Sequence, residues 1–436
     1  MIERIKTYFE FARHKANFRT EVIAGVSTFL ALSYIFVVNP AILSEGGINK
    51  SAALFATIVI SAISTFVMGV WAKKPFALAP GLEMNSYVVY FLIIGLGVSW
   101  QAGLGAVFWS GILFLVLTIT KVREKIIEAI PDSLKIGLAA SVGVFLIIIA
   151  FRLSDVLIYE ETSIKATGNV FSSKALVLVL GFAIAIILHR LKVKGFILVS
   201  IILCTVISHL LGFYESNSDS IALNGEMFSA IGALDIRIIA NPKMFSAIII
   251  LFVVDFYGSI AKFIGLTQNT TILDEEGKLP NQKEALLIDG AATIVGSTVG
   301  TTSLTTFVES GVGIGAGGRT GFTAVVCGLM MLLFIPLAPI VNLVPVIATT
   351  GALLWVGIEL MPKLVRIKKI TTVELLAVVL MILVTVATFA LDKAMLVGFG
   401  FFILGNLFSG KLKQVNPYLV VSTLIILLSI LLSIYA

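Results

Sequence analysis

Stretches of about 20 apolar residues, the length a helix needs to cross bilayer hydrocarbon, recur along almost the whole of this 436-residue chain. They lie near 21–43, 52–72, 82–97, 101–120, 133–152, 174–191 and 194–213. After a polar interval from Tyr214 to Lys243 they resume near 244–267, 284–300, 303–316, 319–337, 345–361, 372–390 and 393–408, with a further run near 417–435. Hydrophobic residues make up 58% of the chain and charged residues 13%, a balance no water-soluble fold keeps from aggregating. The pattern predicts an all-α polytopic membrane protein of about 14 transmembrane segments. The first run ends in "VVNPAILSEGG" (Val37–Gly47) rather than in a small-residue cleavage site, so it reads as a span and not a signal peptide.

Short basic loops orient the segments, because Lys and Arg gather on the cytoplasmic side. With the amino terminus (Arg4, Lys6, Arg13, Lys15, Arg19) inside, the clusters Lys73/Lys74, Lys121/Arg123/Lys125, Arg190/Lys192/Lys194, Arg319, Lys363/Arg366/Lys368/Lys369 and Lys411/Lys413 all fall inside too. The opposite loops are acid-rich or nearly uncharged: Asp155, Glu160 and Glu161 lie in one, and Glu215, Asp219, Glu226 and Asp235 in the central interval. The net charge of +6 is therefore a matter of topology, and no nucleic-acid surface is expected. Whether the last run crosses, lies along the membrane or packs beside the bundle is left open by the charges.

Seven spans, a break and seven more place the halves upside down relative to each other if they share one fold, the inverted repeat of many secondary transporters. In such proteins paired interrupted helices meet near the bilayer midplane. The third segment of each half carries an interruption. "PFALAPGLEMNSYVVYF" (Pro75–Phe91) is broken by Pro80 and Gly81, and "TTSLTTFVESGVGIGAGGRTG" (Thr301–Gly321) by its glycines. Proline removes a donor and glycine costs chain entropy in a helix, so short extended stretches leading into half-helices are expected at both. Backbone of that kind is tolerated inside a membrane only where protein or a watery cavity satisfies it. The two stretches are therefore expected to face each other.

Ionisable residues within apolar runs mark function by default. Glu309 sits near the start of the second half-helix, where its carboxylate can accept N–H groups of a planar substrate; pairing with Arg319 is the structural alternative. Ser310 beside it is a further substrate-binding candidate. Asp255, near mid-span in "LFVVDFYGSIAKFIGL", shares a helical face with Lys262 two turns on, so a substrate or proton ligand competes with an ion pair. Asn85 carries both a donor and an acceptor but also suits helix capping. Glu83, two residues away, reads as a second acid of the site or as an acid facing the exit. Asp289 lies close to the start of its span, where a structural hydrogen bond competes with function. Glu309, Asp255 and Asp289 are the proton-coupling candidates.

Other signals carry nothing. "GIGAGG" (Gly313–Gly318) fits G-x-G-x-x-G, but the dinucleotide motif requires a preceding strand, a following helix and an acid about 20 residues on, and no Asp or Glu occurs between Glu309 and Glu359. Cys204 and Cys327 lie inside apolar runs, and His14, His189 and His209 share no ligand spacing. Neither a metal nor another cofactor is expected.

Taken together, "RTEVIAGVSTFLALSYIFVVNPAIL", "ALAPGLEMNSYVVY", "FVVDFYGSIAKFIG" and "TSLTTFVESGVGIGAGGRTGFTAVV" resemble the nucleobase:cation symporter-2 superfamily, in its AzgA-like branch of adenine/guanine/hypoxanthine permeases. The resemblance implies a seven-plus-seven inverted repeat divided into a core domain (1–120 and 244–340) and a gate domain (121–213 and 341–436, including the extra hydrophobic run), with an extracellular loop at 214–243. It implies purine uptake coupled to protons, with Asn85, Asp255, Asp289 and Glu309 standing at the family's site positions. Two departures accompany it. Where relatives read "DFFDTVGTLIG" this chain places Gly258 and Lys262, and where they read "APGMGLNAYFAY" Glu83 replaces a glycine.

The expected function is import of a purine base with protons across the cell membrane by a multi-pass protein whose amino terminus is cytoplasmic. The rival is an anion transporter on the same scaffold, which an acidic site disfavours; a channel would not accumulate its solute, and no catalytic constellation supports an enzyme. Gate surfaces rich in Leu, Ile and Val suit a homodimer and lipid equally.

Overall fold

The computed structural model describes residues 2–120, 131–160, 163–193, 195–212, 224–267, 270–274, 279–359, 361, 371–389, 391–411 and 415–435. The basic residues Lys121, Arg123, Lys125, Lys194, Lys363, Arg366, Lys368, Lys369 and Lys413, and the acids Glu161, Glu215 and Asp219, lie outside them.

A short helix α1 (Ile2–Tyr8) precedes α2 (Phe18–Leu32), whose first turn is capped by the Asn17 side chain accepting from the Arg19 amide. The first apolar run is not one continuous helix. It breaks at Ser33–Tyr34 and resumes as α3 (Ile35–Glu45), the two together making a 28-residue apolar stretch. Helix α4 (Lys50–Val67) starts at Asn49, which accepts from the amides of Ser51 and Ala52, and ends in a π-helical turn, Met68–Ala72. Strand β1 (Leu78–Pro80) follows, then α5 (Leu82–Ser86), continued by a π-helix over Tyr87–Gly95, and then α6 (Trp100–Ile119).

Helix α7 (Asp132–Leu153) leads into a hairpin of β2 (Leu157–Glu160) and β3 (Ser163–Thr167), which the apolar pattern does not announce. Helices α8 (Ser173–Arg190) and α9 (Phe196–Leu210) complete this stretch. Two 3₁₀ turns, Gly225–Phe228 and Ile236–Ala240, precede α10 (Pro242–Thr267) and α11 (Gln282–Val299). Strand β4 (Leu304–Thr306), α12 (Ser310–Gly315) and α13 (Gly321–Leu332) come next, α13 bending by 62° into the 3₁₀ segment Ile335–Leu343. The chain ends with α14 (Thr350–Glu359), α15 (Thr372–Thr388, opened by a Thr371/Glu374 capping box), α16 (Leu391–Phe408) and α17 (Pro417–Tyr435).

Packing falls into two sets. In one, α2 and α4 lie against α13, α6 lies against α10 and α11, and α12 lies on α2; in the other, α7 packs on α14 and α15, α8 on α9 and α14, and α15 on α16. Helix α17 packs beside α10 and α16, which places the last hydrophobic run against the bundle. Large apolar side chains point outward on several helices, among them Val179, Ile187, Ile202, Val206, Leu383, Leu424 and Leu428. Water would penalise such faces and bilayer hydrocarbon does not, so this is a membrane protein. Among the described residues, five helices or helix pairs are long and apolar enough to cross on their own, at 18–45, 50–72, 100–119, 133–153 and 173–190.

Apolar attraction does not drive helices together within lipid, so small residues at the crossings decide how closely they approach. At the α8–α14 crossing a Cβ on Gly351 would stand 2.5 Å from the Gly181 carbonyl carbon. Replacing Gly351 by Val forces the helices apart and is expected to destabilise the protein by about 1–3 kcal/mol. The check is thermal unfolding in detergent: a lowered midpoint is expected, and an unchanged one would show that the two backbones do not touch.

Candidate functional site

The two interrupted stretches meet. β1 and β4 pair antiparallel, with Leu78 opposite Thr306, Ala79 opposite Thr305 and Pro80 opposite Leu304, and every strand residue is buried. The pairing continues beyond the strands through Gly81 N to Ser303 O (3.0 Å) and Phe307 N to Ala77 O (2.9 Å). Side chains take up the outward-facing groups. The Thr65 hydroxyl accepts from Leu78 N (2.9 Å) and donates to Leu78 O (3.2 Å), while the Ser310 hydroxyl accepts from Ala77 N (2.9 Å). Ser310 therefore secures the strand crossing. Because the strands run in opposite directions, α5 and α12 leave the crossing from opposite ends.

Below this crossing lies a fully buried amide network. Asn39 donates to Thr57 Oγ1 (2.6 Å) and Thr301 Oγ1 (3.0 Å) and accepts from Asn85, whose own carbonyl accepts from Thr302. Asn85 is thus engaged at both ends of its amide and does not cap α5, whose N-cap is Gly81. Asn39, in the middle of α3, joins four stretches of chain and was not among the residues that the sequence singled out.

Helix α10 presents Asp255, Ser259 and Lys262 to β4, a spacing of four and three residues that forms one stripe. Asp255 is 3% exposed and its Oδ2 accepts from Ser303 Oγ (2.5 Å) and Thr293 Oγ1 (3.2 Å). Ser259 shares a hydrogen bond with Thr305 (3.0 Å). Asp255 and Lys262 do not form the ion pair their spacing allows. The Lys262 ammonium instead donates to Glu83 Oε1 and to Thr305 Oγ1, both at 3.2 Å. Glu83 therefore joins the cluster through Lys262. The Lys262 charge is close enough to act on Asp255, Asp289 and Glu309 as well.

Glu309 is the N-cap residue of α12, and its Oε1 accepts from Tyr34 Oη at 2.7 Å. It is not paired with Arg319, whose guanidinium donates to the carbonyls of Ile314 (2.5 Å) and Gly318 (2.8 Å). Tyr34 sits at the break between α2 and α3, so the interruption of the first run serves the site. Asp289, in α11, is fully buried beside Ser259 and the backbone of Thr306. Three carboxylates keep oxygens without a hydrogen-bond partner among the described residues: Glu309 Oε2, Asp255 Oδ1 and both oxygens of Asp289. Buried polar atoms are ordinarily satisfied, so these oxygens stand out from the rest of the interior.

Glu21 stands at the beginning of the first apolar run, where a charge is ordinary. It is wholly buried in α2 and accepts from the amides of Arg319 (2.8 Å) and Thr320 (3.2 Å), and from the hydroxyls of Thr320 (2.9 Å) and Thr323 (2.5 Å). Glu21 also accepts from Thr323 N (3.2 Å), one of the free amides of the first turn of α13, where an anion is favoured. Among the described residues no group of three or more His, Cys, Asp or Glu is arranged to hold a metal ion.

The family model Xan_ur_permease, described as a permease family, matches residues 19–361. The chain is a permease of the nucleobase:cation symporter-2 family. It is 33% identical to the adenine permease AdeP of Escherichia coli (strain K12), over 99% of this chain and 96% of that one. It is 29% identical to the guanine/hypoxanthine permease PbuG of Bacillus subtilis (strain 168), over 95% and 96%. Its fold matches the transmembrane domain of a cyanobacterial bicarbonate transporter, BicA, with a TM-score of 0.63 at 14% identity, covering 94% of this permease and 97% of that chain. The resemblance carried by the four motifs is borne out, and the permease is a transporter rather than an enzyme.

The amide network yields a stability prediction. Replacing Asn39 by Leu leaves Asn85, Thr57 and Thr301 short of a partner, at about 1–3 kcal/mol for each group left unsatisfied. The expected result is a markedly lower unfolding midpoint of the purified protein. A variant as stable as the parent would show that the network holds nothing together.

Proposed function

We propose that this permease is a secondary active transporter that imports a purine nucleobase, adenine or guanine/hypoxanthine, together with protons. The observation that carries this reading is the pair of buried, unpartnered carboxylate oxygens, Glu309 Oε2 and Asp255 Oδ1, on either side of the strand crossing. A purine presents ring and amino N–H groups in one plane, and acceptors held in a dry site bind such donors strongly because water no longer competes. Relatives named for adenine and for guanine/hypoxanthine support the substrate class.

In this reading Glu309 and Asp255 bind the base. Asn85 and Ser310 shape the site by holding the two half-segments, and Asp289, Asp255 or Glu309 carries the proton. A buried carboxylate is costly as an anion and much less so once protonated or hydrogen-bonded to a substrate donor. Substrate and proton therefore stabilise the same acids, which is the physical root of coupling.

The proposed architecture is a seven-plus-seven inverted repeat in the cell membrane with a cytoplasmic amino terminus. Residues 1–120 and 244–340 form the core, 121–213 and 341–436 form the gate, and 214–243 form an extracellular loop. The antiparallel meeting of β1 and β4, each followed by its helix, supports the inversion. The two packing sets support the division, and the outer apolar faces meet lipid or a second copy. The likeness to an anion transporter concerns the fold, whereas unpartnered carboxylates repel anions.

Proteoliposomes with an inward proton gradient are expected to accumulate radiolabelled adenine, hypoxanthine or guanine, and dissipating the gradient should abolish accumulation. Glu309→Gln is expected to lose at least about 100-fold in uptake, a buried charged acceptor contributing roughly 1.5–3 kcal/mol and the coupling acid being lost as well, while the unfolding midpoint stays near that of the parent. Undiminished proton-driven uptake by that variant would remove Glu309 from the site. Competition by bicarbonate or sulfate without competition by purines would replace the purine reading with the anionic one.

A further inference from the structure

The cluster contains a cation as well as acids, and the nucleobase reading does not by itself need one. Lys262 is 14% exposed and its partner Glu83 is 16% exposed, whereas Asp255, Asp289 and Asn85 are sealed. The ion pair, together with Glu309, which is also partly exposed, is therefore a part of the cluster open to an incoming molecule. Of the three ammonium N–H groups, one is given to Glu83 and one to Thr305 on β4, and the third has no acceptor among the described residues.

We infer that Lys262, held in place by Glu83 and Thr305, is a specificity-determining residue that selects bases carrying an exocyclic carbonyl at ring position 6 over those carrying an amino group there. This rests on the purine reading above. As carboxylates the acids supply acceptors only, and they bind ring and amino N–H groups of any purine. The ammonium supplies a donor and nothing else. Opposite a carbonyl oxygen it forms a charge-assisted hydrogen bond, about twice as strong as a neutral one. Opposite an amino group it faces another donor, and both are left unpaired in a site with little water to satisfy them.

Two features make the ammonium a fixed reader and not a wandering charge. Thr305 is the strand residue paired with Ala79, so Lys262 is tied to the crossing itself. Glu83 stands in the first turn of α5, so the ion pair also bridges α10 to the half-helix that leaves the crossing on the other side. Glu83 is accordingly a positioning residue, which acts on the substrate through Lys262.

Hypoxanthine and adenine form a matched pair for the test, since they differ in the position-6 substituent and the protonation of the adjacent ring nitrogen. Binding of each to the purified full-length protein is measured by isothermal titration for the parent, Lys262→Met and Glu83→Ala, with thermal unfolding recorded alongside. The parent is expected to bind hypoxanthine more tightly than adenine. In Lys262→Met the adenine-to-hypoxanthine ratio of Kd values is expected to fall by about 10- to 100-fold, the range for one hydrogen bond to a charged donor. Glu83→Ala, which leaves the lysine present but unheld, is expected to lower the same ratio in the same direction. A loss of packing alone would weaken both bases together and leave the ratio in place.

A parent that prefers adenine, or a ratio that moves by less than about threefold in both folded variants, overturns the inference while the purine reading stands. A parent that binds neither base overturns both. Should Lys262→Met fail to fold, the ratio in Glu83→Ala decides.

Discussion

Everything in this permease depends on how two pieces of extended backbone are satisfied inside a bundle of apolar helices. Helices meet their own hydrogen-bonding needs; β1 and β4 cannot, and a buried peptide group without a partner costs several kcal/mol in an apolar surrounding. Each strand therefore needs the other, and the remaining groups need Thr65 and Ser310. The price of a broken segment is thus a set of obligatory partners, which draws α4, α10, α11 and the two half-segments to one point. A polar cluster results because those partners sit where the rest of the bundle is apolar.

The same constraint explains why the acids differ in their surroundings. Asp255 is tied by one oxygen to Ser303 and Thr293, residues needed near the strand in any case, and keeps the other oxygen open. Glu309 divides its oxygens in the same way, one to Tyr34 and one open. A carboxylate held by one oxygen is oriented, and the free oxygen is available to a ligand. Lys262 offsets part of the accumulated negative charge at short range, which matters in a low-dielectric interior where four acids would otherwise repel one another.

Much of this was legible in the sequence. Pro80, Gly81 and the glycines after Ser310 exposed the two interruptions, because helices inside lipid have few other reasons to carry such residues together. Asp255, Asp289 and Glu309 stood out as charges in apolar runs. The partners were not legible. Tyr34 and Glu309 are 275 residues apart, and Lys262 and Glu83 are 179 apart, so local spacing favoured Asp255 for Lys262 and Arg319 for Glu309. Asn39 and Glu21 were hidden for a different reason. One is a neutral side chain in a run read for its apolar periodicity, and the other stands at a span's end, where a charge is ordinary. The residues that replace family glycine and supply the lysine were visible as two separate departures; only the fold shows that they meet as one ion pair.

The ties of the first segment carry a mechanical consequence. Helix α2 holds the amides of Arg319 and Thr320 through Glu21 at one end, and Tyr34, just past its other end, holds Glu309. The twelve residues from Glu21 to Leu32 span roughly 18 Å at 1.5 Å per residue, so α2 is a strut fastened to both ends of the stretch that contains α12. A helix of that length resists compression far more than a loop does. Glu309 therefore cannot shift along the stretch without breaking a hydrogen bond at one end or carrying α2 with it. A displacement of Glu309 is therefore shared by α2 and α12, while the strand crossing links that unit to α5. In the proposed reading the acid assigned to the substrate is thus also a fastening of the frame, which would let a small ligand bias the position of several helices at once.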